Sequence, residues 1–281
     1  QEASNLSDEE MLNTFNCGNG MVIVISENEL EKTKKLLIKL KIGYKIIGAC
    51  SNLKKGNSSV NINWILKMKK FKIVVFVSGN GSNLQALIDV GKNLNCPYEI
   101  NLVFSNNPDV YALKRASQNN IPTLTLDHKN FKTRQEFDST LSNNLKKIDF
   151  DLIVLAGFMR ILGREFIKKY ENKIINLHPS LLPKYPGLNT HEKVLENKDK
   201  FHGANVHMVD EGLDTGKIIG FSKFKVENYD NYDSLLAKTH EIEHKLLPQI
   251  CSLIATKKII LGKENILING QSNQKNKEII F

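Results

Sequence analysis

Apolar residues along this chain recur with two periods, and from Phe71 onward the two alternate. Short continuous apolar runs predict strands at residues 72–77, 99–104, 123–126, 152–156 and 173–177. Between them, apolar residues at helical spacing predict helices at 84–93, 111–119, 134–147 and 164–170. Strands that read as unbroken apolar runs are covered on both faces, so the alternation predicts an α/β domain with a mostly parallel sheet and helices on both sides. Two further strand-like runs, 203–209 and 217–226, precede a long helix over 232–255, with an interruption or kink expected near Pro248.

Upstream the pattern is thinner. A strand is predicted at 21–25, followed by the capping box Ser26-x-x-Glu29 and a helix carrying Leu30, Leu36, Leu37 and Leu40; a second strand follows at 44–47. This small βαβ piece has too little core to stand alone. Residues 51–70 are polar and lysine-rich without a clear period, as a linker would be, and Trp64, Ile65 and Leu66 can dock on a neighbour. Three parts are therefore expected: 1–50, a linker at 51–70, and a main domain at 71–281.

Composition narrows the classes. With 281 residues and 41% hydrophobic content the chain reads as globular. The net charge of +9 suits an anionic ligand, yet the lysines are dispersed with no aromatic-interleaved basic stripe. A phosphorylated small molecule is favoured over nucleic acid. Cys17, Cys50, Cys96 and Cys251 form no C-x-x-C pair, which indicates neither a disulfide framework nor a zinc site and fits free thiols in a reducing compartment. No apolar run approaches the ~20 residues of a membrane span. A cytoplasmic protein without a membrane partner is the expectation.

Two stretches carry chemistry. The strand at 72–77 runs into Ser78-Gly79-Asn80-Gly81-Ser82-Asn83-Leu84 and then a helix, so glycine-turned backbone N–H groups and a helix N-terminus can together hold an anion. The loop lacks Gly-Lys-Ser/Thr, and Leu84 stands where a dinucleotide fingerprint has its third glycine, leaving a single phosphate or a plain tight turn. The second stretch is Ile174-Ile175-Asn176-Leu177-His178-Pro179-Ser180-Leu181-Leu182-Pro183-Lys184-Tyr185-Pro186-Gly187. Prolines end the strand, and Asn176 and His178, two apart, share one face. An amide donor beside a group titrating near neutrality suits acyl transfer; a capping Asn with a hydrogen-bonded His is the alternative.

Together with Ala156-Gly157-Phe158-Met159-Arg160-Ile161-Leu162, these segments resemble phosphoribosylglycinamide formyltransferase, from about Phe71 to Leu267. The resemblance implies a Rossmann-like formyltransferase fold, a formyl group moved from 10-formyltetrahydrofolate to glycinamide ribonucleotide in purine biosynthesis, and no metal. Carried residue by residue, it implies that Asn176, His178 and Asp214 are catalytic. Gly81, Ser82 and Asn83 would hold the phosphate, with His240, Glu241, Ile242 and Glu243 also at the ribonucleotide. Arg134, Met159, Arg160, Ile161 and Leu162 would line the folate site with Asn176, Asp210, Glu211, Gly212, Leu213 and Asp214. The sequence departs from the family at position 240, where Gln is the usual residue. A carboxylate near His178 is expected to raise its pKa and keep a proton available. Upstream, Thr14-Phe15-Asn16-Cys17-Gly18-Asn19-Gly20-Met21 and the βαβ after it resemble the carboxyl-terminal end of aminoimidazole ribonucleotide synthetase, which implies other purine-pathway domains as partners.

Competing readings remain at this level. His240-Glu241-Ile242-Glu243-His244 matches the H-E-x-x-H zinc pattern, against an exposed charged helix face. His191, His202 and His207 read as loop or strand residues that form hydrogen bonds. A 10-formyltetrahydrofolate hydrolase can use the same three catalytic residues, and a non-catalytic assembly module of a larger purine enzyme is a further alternative.

Overall fold

Strand β1 (Phe71–Val77, FKIVVFV) has a single polar residue, so neither of its faces can turn to water. Ile73, Val75 and Val77 enter one core, and Val74 and Phe76 enter the other. In the computed structural model, which describes residues 26–39, 70–93, 95–262 and 265–272, β1 lies at the middle of a seven-stranded sheet. The chain divides into two units, Gln1–Met68 and Lys69–Phe281.

The second unit contains the sheet. Its strands are β1, β2 (Tyr98–Ser105), β3 (Thr123–Thr125), β4 (Leu152–Leu155), β5 (Ile174–His178), β6 (Phe201–Met208) and β7 (Ile218–Lys225), in the order β3-β2-β1-β4-β5-β6-β7. From β3 through β5 the pairing is parallel; β5–β6 and β6–β7 are antiparallel. The fold is thus the mostly parallel α/β arrangement that the alternation predicts.

Helices cover both faces. On one, α2 (Ser82–Gly91), α3 (Tyr111–Gln118) and α7 (Tyr232–Ala255) pack Leu84, Leu87, Ala112, Ala116, Leu246 and Ile250 onto β1 and β4. On the other, α4 (Arg134–Leu145) and α5 (Arg164–Lys169) contribute Phe137, Leu141, Leu145, Phe166 and Ile167. Sequence-encoded caps set the starts of two of these helices. Thr133 accepts from Glu136 N at the head of α4, and Asn231 with Ser234 forms a reciprocal capping box at the head of α7.

Helix α7 runs unbroken through Pro248, so the expected interruption is absent. Leu246, Leu247, Pro248, Ile250, Cys251 and Ile254 are all buried, and that apolar stripe holds the helix to the sheet where one backbone hydrogen bond is missing. Two elements go beyond the sequence expectations. One is the short helix α6 (Thr190–Glu196). The other is a three-stranded antiparallel sheet of β8 (Ile259–Leu261), β9 (Ile266–Ile268) and β10 (Gln271–Ser272).

In the first unit, Ser26 precedes a short 3-10 turn at Glu27–Glu29 that leads into α1 (Leu30–Lys39). The strands expected at 21–25 and 44–47, the linker at 51–70 up to position 69, and the Thr14–Met21 motif lie outside the described residues.

Candidate functional site

The site forms along the edge of the sheet where the parallel strands end. Strand β1 delivers the 78–81 turn, β4 delivers 156–162, and β5 delivers Asn176 and His178. Its antiparallel neighbour β6 sets His207 directly opposite Asn176, and the connection from β6 to β7 carries Asp214.

Asp214 is the hub. Its Oδ2 lies 3.4 Å from His178 Nδ1 and accepts the Gly187 N–H at 2.8 Å, while its Oδ1 lies 3.5 Å from His207 Nε2 and accepts from Asn176 Nδ2 at 3.4 Å. Burial works against the charge on Asp214, yet His207, the Gly187 N–H and the nearby His178 hold its carboxyl down to about 2, so it is ionised at neutral pH. The three residues singled out as catalytic from sequence therefore converge. His207 completes the cluster, its Nδ1–H donating to its neighbour's carbonyl, Met208 O, at 2.7 Å while Nε2 accepts from Asn176 Nδ2 at 3.2 Å. Only the antiparallel register of β5 and β6 reveals that partnership. Sequence reading gave His207 a hydrogen-bonding role without a partner.

His178 is buried, and its Nε2 donates to the Tyr185 carbonyl at 2.9 Å. A carbonyl can only accept, so Nε2 carries the proton and Nδ1 is the nitrogen turned to Asp214. Asp214 pushes the His178 pKa up as expected, but the expected net rise needs correction. Burial lowers it, the Tyr185 carbonyl and Asp214 push it up, and His207 and Lys193 push it down, with the balance below the ordinary histidine value. Loss of hydration outweighs the carboxylate because the ring is almost fully enclosed.

The 78–81 turn has the form of an anion cradle. Gly81, the N-cap of α2, has φ 76°, and no side chain caps the first turn, leaving its N–H groups available. A Cβ on Gly81 would stand 2.6 Å from Ala112 Cβ, so glycine is required by both conformation and space. Arg115 braces the loop through Asn80 O at 3.0 Å and Asn80 Oδ1 at 2.9 Å. Ser78 Oγ donates to Asn106 Oδ1 at 2.6 Å and accepts the Met159 N–H at 2.9 Å, joining the cradle to the 159–162 segment.

Of the α7 residues named from sequence, Glu243 reaches the cradle: Asn83 Nδ2 donates to its Oε2 at 2.9 Å. Burial pushes the Glu243 carboxyl up to about 7, against that single donor. Asn83 Oδ1 and His244 Nε2 are buried without a protein partner beside it. Ile242 packs against the core, and Glu241 faces outward, bonding Lys245 at 3.0 Å. His240 stacks on His244 with ring centroids 5.9 Å apart. Among the described residues, no group of three or more His, Cys, Asp or Glu side chains converges as a metal site, and the H-E-x-x-H match does not assemble one.

The segments named for the folate form an exposed apolar rim. Met159, Ile161 and Leu213 are 72%, 56% and 54% exposed, whereas Leu162 is buried beneath them. Arg160 lies over the Phe137 ring at 4.4 Å, and Arg134 lies beside Gly163, whose N–H donates to Asp138 at 2.6 Å. Arg164 Nε meets Glu211 at 2.9 Å, tying the 159–164 segment to the 210–214 loop. Asp210 shapes that loop by accepting from Gly212 N and Thr215 Oγ1 at 3.1 and 2.7 Å.

Comparison with known proteins agrees with this geometry. The family model described as formyl transferase matches residues 71–251. Phosphoribosylglycinamide formyltransferase of Escherichia coli (strain K12) is 42% identical over 199 residues, which is 71% of this chain and 94% of that protein. The trifunctional purine biosynthetic protein adenosine-3 of Drosophila melanogaster is 38% identical over 275 residues, 93% of this chain; the chain spans 20% of that relative's length. Among solved structures, the phosphoribosylglycinamide formyltransferase of Coxiella burnetii, in complex with CHES, superposes with a TM-score of 0.71 at 39% identity, covering 75% of this chain and 100% of that one. With a turn cradle, an amide–imidazole–carboxylate cluster and a family model covering most of the sheet, the chain belongs to the formyl transferase family.

Proposed function

We propose that this chain moves the formyl group of 10-formyltetrahydrofolate to the amine of 5'-phosphoribosylglycinamide, a step of purine biosynthesis. The observation that carries the reading is the convergence of Asn176, His178 and Asp214 on the same sheet edge as the 78–83 cradle. Gly81, Ser82 and Asn83 receive the ribonucleotide phosphate, and Glu243, short of partners, accepts from a hydroxyl of the same ligand. The rim of Met159, Ile161 and Leu213 covers the folate, with Arg134, Arg160, Leu162 and the 210–214 loop around it.

In the reaction the amine attacks the formyl carbon, an N–C bond forms, and the carbonyl oxygen becomes an oxyanion. Asn176 Nδ2 keeps one proton on His207 and swings the other, which at rest makes the longer 3.4 Å bond to Asp214, to that oxygen, an interaction typically worth ~2.7–4 kcal/mol in rate when deleted. His178 is neutral at rest, so it takes the amine proton at Nδ1. The resulting imidazolium lies between two acceptors, the Asp214 carboxylate and the Tyr185 carbonyl. It returns that proton to the folate nitrogen as the second N–C bond breaks. Protons balance without an added acid or base.

The alignment with the trifunctional proteins reaches beyond the domain, over 93% of this chain against 71% for the bacterial enzyme. That longer reach supports reading residues 1–50 as the end of an aminoimidazole ribonucleotide synthetase-like domain, 51–70 as a linker and 71–281 as the formyltransferase domain. A chain of that kind works in the cytoplasm beside other purine-pathway domains. Free, buried Cys96 and Cys251 fit a reducing compartment.

The test is an assay of the isolated chain with 10-formyltetrahydrofolate, in the presence and absence of glycinamide ribonucleotide. Formyl transfer that depends on the ribonucleotide is the expected result. Formate release that does not depend on it would replace the transferase with a hydrolase, and no turnover would favour an assembly module.

A further inference from the structure

Tyr185 holds an unusual backbone conformation for a bulky residue, φ 59°, in the turn that follows β5. Its carbonyl accepts the His178 Nε2–H at 2.9 Å and also the Ser180 hydroxyl at 3.3 Å. Its phenol reaches the other way and donates to Asp199 Oδ2 at 2.8 Å, while Lys184 Nζ lies 2.7 Å from Asp199 Oδ1. Asp199 is itself fixed by the end of α6. Lys198 is left-handed at φ 50°, its N–H bonds Leu195 O at 3.1 Å, and the Asp199 N–H bonds Val194 O at 3.1 Å, the paired bonds of a Schellman motif. A continuous path therefore runs from the α6 terminus through Asp199 and the Tyr185 phenol to the carbonyl that holds His178.

We propose that Asp199, acting through the Tyr185 hydroxyl, is a positioning residue for His178: it pins the 183–187 turn so that the Tyr185 carbonyl keeps the Nε2 proton and only Nδ1 exchanges protons. The part played by Nδ1 rests on the formyl-transfer reading, whereas the clamp on the ring is a property of the resting protein. Without the clamp, the strained Tyr185 backbone relaxes and its carbonyl swings away. The Asp214 carboxylate, 3.4 Å from Nδ1, then draws the proton to that nitrogen, and the ring spends part of its time with its proton on the wrong side.

The experiment uses Tyr185→Phe, which deletes one hydroxyl and keeps the ring, and Asp199→Asn. Each variant is measured for kcat and KM across pH, and with 15N-labelled histidine the His178 tautomer is read by NMR without substrate. The expected result is a kcat loss of roughly 10–100-fold with the ribonucleotide KM unchanged, together with a shift of His178 from one Nε2–H tautomer to a mixture. Lys184→Met leaves the phenol–carboxylate bond in place and is expected to retain both the tautomer and the rate. An unchanged tautomer in Tyr185→Phe and Asp199→Asn, or an equal loss in Lys184→Met, would overturn the proposal. If Tyr185→Phe does not fold, Asp199→Asn alone decides it, with Asp199→Glu as the rescue variant. Should the unaltered chain transfer no formyl group, the NMR result still judges the clamp, separately from the reaction.

Discussion

Asn176 and His178 occupy alternate positions of one strand, yet their surroundings assign them opposite tasks. The amide has one proton on His207 and a second in a longer, 3.4 Å bond to Asp214 that an oxyanion can take over, so Asn176→Ala should lower kcat by about 10²–10³-fold. In the proposed reaction the imidazole exchanges protons, and His178→Ala should cost about 10²–10⁴-fold. Both variants, and Asp214→Asn, are expected to bind ribonucleotide as the unaltered chain does in calorimetric titration; parallel loss of binding would assign them a structural part. Glu243 gives a prediction of a different kind. Its folded pKa of about 7 lies above the usual carboxyl value, so its own contribution to stability is full below pH ~4.5 and is lost as pH rises through 7, by about 3 kcal/mol in all. Glu243→Gln should therefore raise the Tm at alkaline pH, with little change in acid, while weakening ribonucleotide binding. A variant that is stabilised and still binds tightly would remove Glu243 from the site.

At the level of elements, the β1 turn is the most constrained. Gly81→Ala adds a Cβ 2.6 Å from Ala112 Cβ at a left-handed position, and it should cost about 1–3 kcal/mol in urea unfolding as well as ribonucleotide affinity. The neighbouring substitution Gly79→Ala meets no atom within 4 Å and serves as its control. The parallel strands and the helices between them were legible because each is a long run with one period; predicted and observed bounds differ by a few residues at the ends. Helix α6 escaped notice because Thr190–Glu196 is only seven residues with no apolar stripe, entered from Asn189 at φ 60°. The β9–β10 hairpin did have a signal, Asn269-Gly270, both left-handed at φ 50° and 80°. The trio Asn176, His178 and Asp214 was nominated through family motifs, and the structure brings the three together. His207, Tyr185 and Asp199 were not, since their parts arise from strand register and a backbone carbonyl, neither of which has a residue pattern.

For the whole molecule, His202 opposes Glu243: as pH falls from ~7 to ~4 the contribution of His202 is lost while that of Glu243 grows. His202 is buried, donates to or accepts from His191 Nδ1 at 2.8 Å, and is pushed down to about 4 by burial and by His191, with Asp199 opposing. A histidine held neutral in the fold contributes fully above pH ~6.5; as pH falls toward 4 the unfolded chain gains a proton the folded one refuses, removing about 3 kcal/mol. The difference in denaturant unfolding between the unaltered chain and His202→Gln should follow that slope between pH ~7 and ~4, since Glu243 contributes equally to both. A slope identical in both proteins would place the acid sensitivity elsewhere.

Strand order carries one more implication. Asn176 and His178 sit on β5, inside the sheet, but the carboxylate hangs from the connection into β7, which has a single bonded neighbour at the margin. Margins fray at lower free energy than interiors. Gentle warming should therefore extinguish turnover while the five parallel strands are still paired, a molecule intact to circular dichroism and already silent.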